Sequence, residues 1–200
     1  DTLTGFKFIG EKIKEFEETG SHTFLFGYEE SYGYLAGDFV RDKDAVIASM
    51  LICEMAAHYQ SRGMSLYEGL VSLWEKYGYF MESLESIQMT GKEGMEKIQI
   101  LMDNLRNNSP KEINGIPVSV VEDYLASKYV DIHTGAESKI TLPVSNVLKY
   151  KLEDGSWFCV RPSGTEPKVK VYFSVIGSSI EDANEKNQAL VDAVLALLKS

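Results

Sequence analysis

Two runs near the end of the sequence restrict the fold more than anything else in it. In residues 168–175, Val169, Val171, Phe173 and Val175 fall on one face of an extended chain, and Lys168, Lys170, Tyr172 and Ser174 on the other. That period of two marks a strand buried on one side. The apolar run Trp157-Phe158-Cys159-Val160 precedes it and reads as a second strand. Between them stands Arg161-Pro162-Ser163-Gly164-Thr165-Glu166-Pro167, a connection held at both ends. A half-buried antiparallel sheet needs a covering layer, and residues 180–199 offer one: Ala183, Leu190, Val194 and Leu197 share a helix face, with Ser178 or Ser179 as its cap.

The connection has the chemistry to hold a dianion. Arg161 supplies a planar fork of donors, Ser163 and Thr165 supply hydroxyls, and Gly164 lets backbone N–H groups approach an oxygen with no Cβ in the way. The same composition also makes an ordinary Pro/Gly turn between antiparallel strands, and the residue types alone do not separate the two readings.

The formal net charge of −10 and the absence of a basic block argue against nucleic acid or an anionic membrane as partner. Cys53 and Cys159 sit in apolar runs without close Cys spacing and read as small buried hydrophobes, which fits a reducing cytoplasm. His22, His58 and His133 lie far apart, show no metal-ligand spacing, and are expected to be structural. No signal peptide opens the sequence and no apolar run reaches the length of a membrane span, so a soluble, cytoplasmic protein is expected. The chain starts at Asp1-Thr2-Leu3 without Met and enters a helical pattern almost at once, which resembles an excised fragment.

Taken in order, residues 4–18 carry Phe6, Ile9, Ile13 and Phe16 at helical spacing, with Thr19-Gly20 as the stop. Residues 22–28 read as a short buried strand running into Gly27-Tyr28-Glu29-Glu30-Ser31-Tyr32-Gly33. Glu29 and Ser31, two apart, can face one way, and a carboxylate beside a hydroxyl suits sugar recognition; a solvated acidic turn has the same composition. Asp42 and Asp44 read as first-turn or cap residues of a helix through Val46, Ile47, Met50, Leu51 and Met55. Ser65-x-x-Glu68 is a capping box opening a helix with Leu70, Leu73, Trp74 and Tyr77 on one stripe, expected to be core, and Gly78 after its end.

A domain boundary is expected near Gly78, giving segments 1–78 and 79–200. Residues 79–89 read as extended, and Gly91 precedes a helix carrying Met95, Ile98, Leu101, Met102 and Leu105. After Asn107-Asn108-Ser109-Pro110 come short strands at 117–123, 129–132 and 147–152, the last joined to Trp157 through a hairpin at Asp154-Gly155. The expected fold class is α/β at the start followed by an α+β domain.

Three strings together resemble the α-D-phosphohexomutases, the phosphoglucomutase and phosphomannomutase family. Arg161 to Pro167 is similar to the phosphate-binding loop of that family's fourth domain. Gly-x-Glu-Glu-Ser-Tyr-Gly at 27–33, followed by Arg41-Asp42-Lys43-Asp44, resembles the sugar-specificity loop of its third domain, and Thr4-Gly5-Phe6-Lys7 resembles a segment bordering that site. The resemblance covers essentially the whole chain, as the end of an α/β/α domain 3 (1–78) and a domain 4 similar to the TATA-box-binding-protein-like fold (79–200).

It implies sugar-hydroxyl ligands in Glu29 and Ser31, a nearby cation in Lys43, and phosphate ligands in Arg161, Ser163, Gly164 and Thr165. Family members are isomerases that move a phosphoryl group between C1 and C6 of a hexose phosphate through a bisphosphate such as glucose 1,6-bisphosphate. They use a phosphoserine of domain 1 and Mg²⁺ held by domain 2. Neither the Ser-His-Asn-Pro nor the Asp-Gly-Asp-Gly-Asp string of those domains occurs here, so no catalytic or metal residue is assigned in this chain. The implied partners are a hexose phosphate and domains 1 and 2 of the same polypeptide. Glu-Glu-Ser-Tyr-Gly is more similar to the glucomutase branch than to the mannomutase pattern Glu-Met-Ser-Gly-His. The competing expectation is a non-catalytic phosphosugar-binding module.

Overall fold

A computed structural model describes residues 2–89, 93–164 and 166–199. The chain divides into two compact units, residues 1–73 and 74–200.

In the first unit, α1 (Phe6–Thr19) ends as its sequence demands: Gly20 takes a left-handed conformation and its N–H reaches the Phe16 carbonyl at 2.8 Å. Phe6 and Ile13 of α1 are buried against Leu35. Leu35 belongs to a hairpin of β1 (Phe26–Glu29) and β2 (Gly33–Ala36), paired from Phe26↔Ala36 to Glu29↔Gly33. This corrects the expectation of a single buried strand over 22–28. The chain turns back through Glu30-Ser31-Tyr32, with Tyr32 at φ 66°, and Phe26 and Tyr28 stay more than half exposed. A tyrosine in the left-handed position carries none of the Asn-Gly or Asp-Gly signal that announces a hairpin.

Helix α2 (Ala45–Gln60) opens on Asp44, whose carboxylate accepts from Val46 N at 2.9 Å and Ile47 N at 3.1 Å. Cys53 on this helix is exposed, not buried as its apolar neighbours suggest, because α2 buries no residue. Helix α3 (Leu66–Tyr77) has the expected capping box: Ser65 N donates to Glu68 Oε2 at 2.6 Å and Glu68 N to Ser65 Oγ at 3.2 Å. Its stripe is not core, since Leu70, Leu73 and Tyr77 are exposed. The division between units falls inside α3.

The second unit is one antiparallel sheet covered on one face by two helices. Its elements are β3 (Tyr79–Gln88), α4 (Gly94–Asn107), β4 (Glu112–Ile113), β5 (Ile116–Asp123), β6 (Lys128–Asp131), β7 (Glu137–Lys139), β8 (Leu148–Leu152), β9 (Trp157–Pro162), β10 (Lys168–Gly177) and α5 (Ile180–Leu197). The strand order is β3-β10-β9-β8-β5-β6-β7, with β4 beside β5. Gly91, expected just before α4, lies outside the described residues.

The alternation read in residues 168–175 is realised: Val169, Val171, Phe173 and Val175 are at most 1% exposed. They pack with Phe158 and Val160 of β9, Tyr150 of β8, Ile98, Met102 and Leu105 of α4, and Leu190, Val191 and Val194 of α5. Each such side chain stabilises the fold by roughly 1.5–3 kcal/mol. Tyr150 stacks on Phe158 at 4.7 Å and donates its hydroxyl to the Leu105 carbonyl at 3.1 Å, satisfying an orphan group in the last turn of α4. The histidines sit apart: His133 pairs with Glu153 at 3.0 Å, and His22 and His58 lie against Phe16 and Tyr59. Among the described residues no helix is long and apolar enough to cross a membrane.

Candidate functional site

The β9–β10 hairpin sets the geometry of the second unit's loop. Arg161 belongs to β9 itself, one residue before its end. Since Phe158 and Val160 face α4 and α5, Arg161 points with Trp157 and Cys159 to the opposite face of the sheet. The same face carries Lys168, Lys170 and Tyr172 of β10 and Lys149 and Lys151 of β8. Most of these cations are already engaged. Lys168 pairs with Glu166, Lys151 lies 2.6 Å from Glu122 Oε1, and the Lys149 ammonium sits 4.1 Å over the Trp157 ring. Burial holds the Lys149 pKa below its ordinary value, against the attraction of Glu122.

Arg161 and Lys170 stand directly opposite each other in register. Like charges so placed on an antiparallel pair are destabilising, on the scale of about 0.2–1 kcal/mol. They become an asset when an anion lies between them. Lys170 is the residue that sequence reasoning missed. The alternation put it on the polar face, but which residue it meets on β9 depends on a register no local pattern reveals.

Beyond Arg161 the loop is braced from inside the unit. Ser163 N donates to the Lys168 carbonyl at 2.8 Å, Glu166 N to Ser163 Oγ at 3.3 Å, and Met89 N to the Pro167 carbonyl at 2.8 Å. Gly94, at the start of α4, packs so closely here that a Cβ would sit 2.1 Å from the Met89 carbonyl oxygen and 3.1 Å from Pro167 Cβ. The loop base is therefore wedged between the end of β3 and the first turn of α4. Gly164 is exposed, and a Cβ on it would meet no atom within 4 Å, so packing gives no reason for glycine at this position. Thr165 lies outside the described residues.

In the first unit the β1–β2 hairpin and the start of α2 bring two of the three predicted sugar residues together. Glu29 Oε2 lies 3.8 Å from Lys43 Nζ, and only 15% of the Glu29 side chain is exposed. Lys43 Nζ also meets Asp42 Oδ1 at 2.9 Å and lies 5.0 Å from the Phe6 ring centroid. The hydrogen bond to Asp42 first, then the charges of Asp42 and Glu29, raise the Lys43 pKa; the same contact lowers that of Asp42. Ser31 is exposed at the hairpin tip, two residues beyond Glu29. Among the described residues no three His, Cys, Asp or Glu side chains are grouped as a metal centre.

Residues 1–77 match the family model described as phosphoglucomutase/phosphomannomutase, alpha/beta/alpha domain III, and residues 92–190 match that of the C-terminal domain of the same family. The chain belongs to the phosphoglucomutase/phosphomannomutase family. Among its relatives are phosphoglucomutases of Staphylococcus aureus strains bovine RF122 / ET3-1 and MSSA476. Each is 37% identical over 191 residues, which is 96% of this chain and 34% of the relative. The chain thus spans about a third of the length of the curated relatives it matches. A crystal structure of parafusin, an exocytosis-sensitive phosphoprotein and phosphoglucomutase from Paramecium, in an open form, shares the fold with a TM-score of 0.59. It is 19% identical, and the match covers 98% of this chain and 32% of that one. Within the phosphoglucomutase/phosphomannomutase frame, the Glu29–Lys43 pair falls in the domain III match and the Arg161 loop in the C-terminal domain match.

Proposed function

We propose that this chain is the substrate-recognition part of a longer, cytoplasmic phosphoglucomutase-like enzyme. That enzyme interconverts hexose 1-phosphate and 6-phosphate by way of a bisphosphate intermediate. Glu29, Ser31 and Lys43 hold the sugar; Arg161, Ser163, Gly164 and Thr165, joined by Lys170, hold the phosphate that is not reacting. The working boundary between the two parts is placed at Gly78. The nucleophile and the Mg²⁺ that neutralises phosphoryl charge belong to the rest of the polypeptide, so the 200-residue chain alone binds substrate and does not turn it over.

The observation that carries the reading is the facing pair Arg161 and Lys170 on the side of the sheet away from α4 and α5. A fold with net charge −10 has set two cations against each other beside a Ser-Gly-Thr loop. A phosphate dianion turns their repulsion into two charge-assisted contacts. Phosphoryl transfer depends mostly on positioning and charge stabilisation, so anchoring the distal phosphate converts binding energy into orientation at the reacting oxygen.

Steady-state kinetics of Arg161→Ala and Arg161→Lys in the complete polypeptide test this. A charge-assisted hydrogen bond contributes roughly 1.5–3 kcal/mol, so Arg161→Ala is expected to lower kcat/KM for glucose 1-phosphate by about ten- to a hundred-fold. Arg161→Lys falls between it and wild type because the ammonium lacks the planar fork. The Tm is expected to hold or rise slightly, since relieving a like-charge pair removes repulsion. Early unfolding together with normal turnover by the remaining folded enzyme would make Arg161 a structural residue and end this reading.

A further inference from the structure

Gly33 opens β2 directly across from Glu29, is buried, and has no left-handed backbone to account for a glycine. Its neighbours account for it. A Cβ at position 33 would lie 2.3 Å from Lys43 Cδ, 2.9 Å from Lys43 Cγ and 3.2 Å from Glu29 Oε2. The aliphatic stem of Lys43 therefore lies across the bare backbone of Gly33. From there the ammonium reaches its three neighbours, Glu29, Asp42 and the Phe6 ring. The backbone beside Lys43 is tied to the same strand, since Asp44 N donates to the Tyr34 carbonyl at 2.9 Å.

We infer that Gly33 is a positioning residue: the side chain it lacks makes the seat for Lys43, and through Lys43 it fixes the orientation of the Glu29 carboxylate toward a sugar hydroxyl. This rests on the sugar reading of Glu29 and Lys43 given above. Only 15% of the Glu29 side chain is exposed and Lys43 Nζ lies 3.8 Å from its Oε2, so the placement of that cation decides which way the free lone pairs of the carboxylate point. A methyl at position 33 would move Lys43 Cδ by on the order of 1 Å, from 2.3 Å to ordinary contact at 3.4–4 Å. Lys43 is 44% exposed, so its stem can swing outward into solvent. The substitution should therefore leave the fold intact and displace the charge.

The experiment is a double-mutant cycle of Gly33→Ala and Lys43→Ala in the complete polypeptide. Affinities for glucose 1-phosphate and for inorganic phosphate are measured by calorimetry, alongside Tm. Gly33→Ala is expected to weaken glucose 1-phosphate by about ten- to a hundred-fold, with inorganic phosphate affinity and Tm unchanged. In the Lys43→Ala background, where Cγ and Cδ are gone, the added methyl should change nothing further. Additive losses, no loss at all, or unfolding in both backgrounds would each overturn the inference, because the methyl would then not act through Lys43. NMR without ligand gives a separate readout: nuclear Overhauser contacts between the Lys43 Cγ and Cδ protons and the Gly33 Cα protons are expected in wild type, and Gly33→Ala should abolish them at position 33. If wild type binds glucose 1-phosphate no better than inorganic phosphate while these contacts are present and lost as expected, the sugar reading fails and the seat for Lys43 stands. If wild type shows no such contacts, the seat itself is refuted.

Discussion

Cys159 sits between Trp157 and Arg161 on the face of the sheet away from α4 and α5, and burial pushes its thiol up to about 12 against the opposing pull of Lys149 and Arg161. It therefore stays protonated and unreactive at neutral pH. Cys53 is exposed on α2. A thiol reagent at pH 8 is expected to label Cys53 within minutes and to spare Cys159 until denaturant is added, as read by peptide mass spectrometry. Fast labelling of Cys159 in the folded chain would mean that this face opens. Residues whose role is local were legible in the sequence: Asp44, Ser65 and Glu68 act on N–H groups within three positions. Lys170 and Gly33 were not, because their partners come from other elements and the contact exists only after folding.

Among the elements, the start of α5 shows how far a few local hydrogen bonds can shift a titration. Ser179 Oγ accepts from Asp182 N at 3.1 Å, while Asp182 Oδ2 accepts from Ser178 N at 2.7 Å and Ser178 Oγ at 2.9 Å and pairs with Lys186 at 3.0 Å. These contacts, the Ser178 N–H foremost, hold the Asp182 carboxyl at about 2 against an ordinary 3.8. With the folded pKa depressed, the unfolded chain binds the proton first as acid is added. The contribution is complete above the ordinary value and is lost as pH falls toward about 2. Asp182→Asn should accordingly flatten the acid limb of Tm against pH over that window relative to wild type, and an unchanged limb would place the acid sensitivity elsewhere. The helices and the long alternating strands were readable because capping and period are written in adjacent residues. The strands that escaped were β2, β4 and β7. They are short, and their identity comes from the strand beside them: β7 is exposed at every position and β4 is two residues long.

At the scale of the whole molecule the two units differ in what holds them. Nineteen described residues form the buried cluster of the second unit and three form that of the first, so their local stabilities should differ by many side-chain burials. Native-state hydrogen exchange is expected to show β8, β9 and β10 opening only with global unfolding of their unit, and α2 exchanging at much lower denaturant. Equal protection would mean that the first unit draws stability from something other than its own core. Its exposed apolar residues, Phe26, Phe39, Val46 and Met50 among them, are surface that the remainder of a longer polypeptide covers on the proposed reading.

The place of β3 in the sheet also dictates an order of events during synthesis. Each residue of β3 pairs with one in β10 that lies 80 to 98 positions later, from Gln88↔Lys168 to Tyr79↔Gly177. At translation rates of about 5–20 residues per second, β3 waits roughly 4–20 seconds for the strand that completes it. Throughout that interval it is a ten-residue segment with an open hydrogen-bonding edge, the kind of template that recruits other nascent chains. Glu82 and Glu85, with Ser83 and Ser86, divide its apolar residues into short pieces. Those polar positions break up the uncharged apolar run that such recruitment needs.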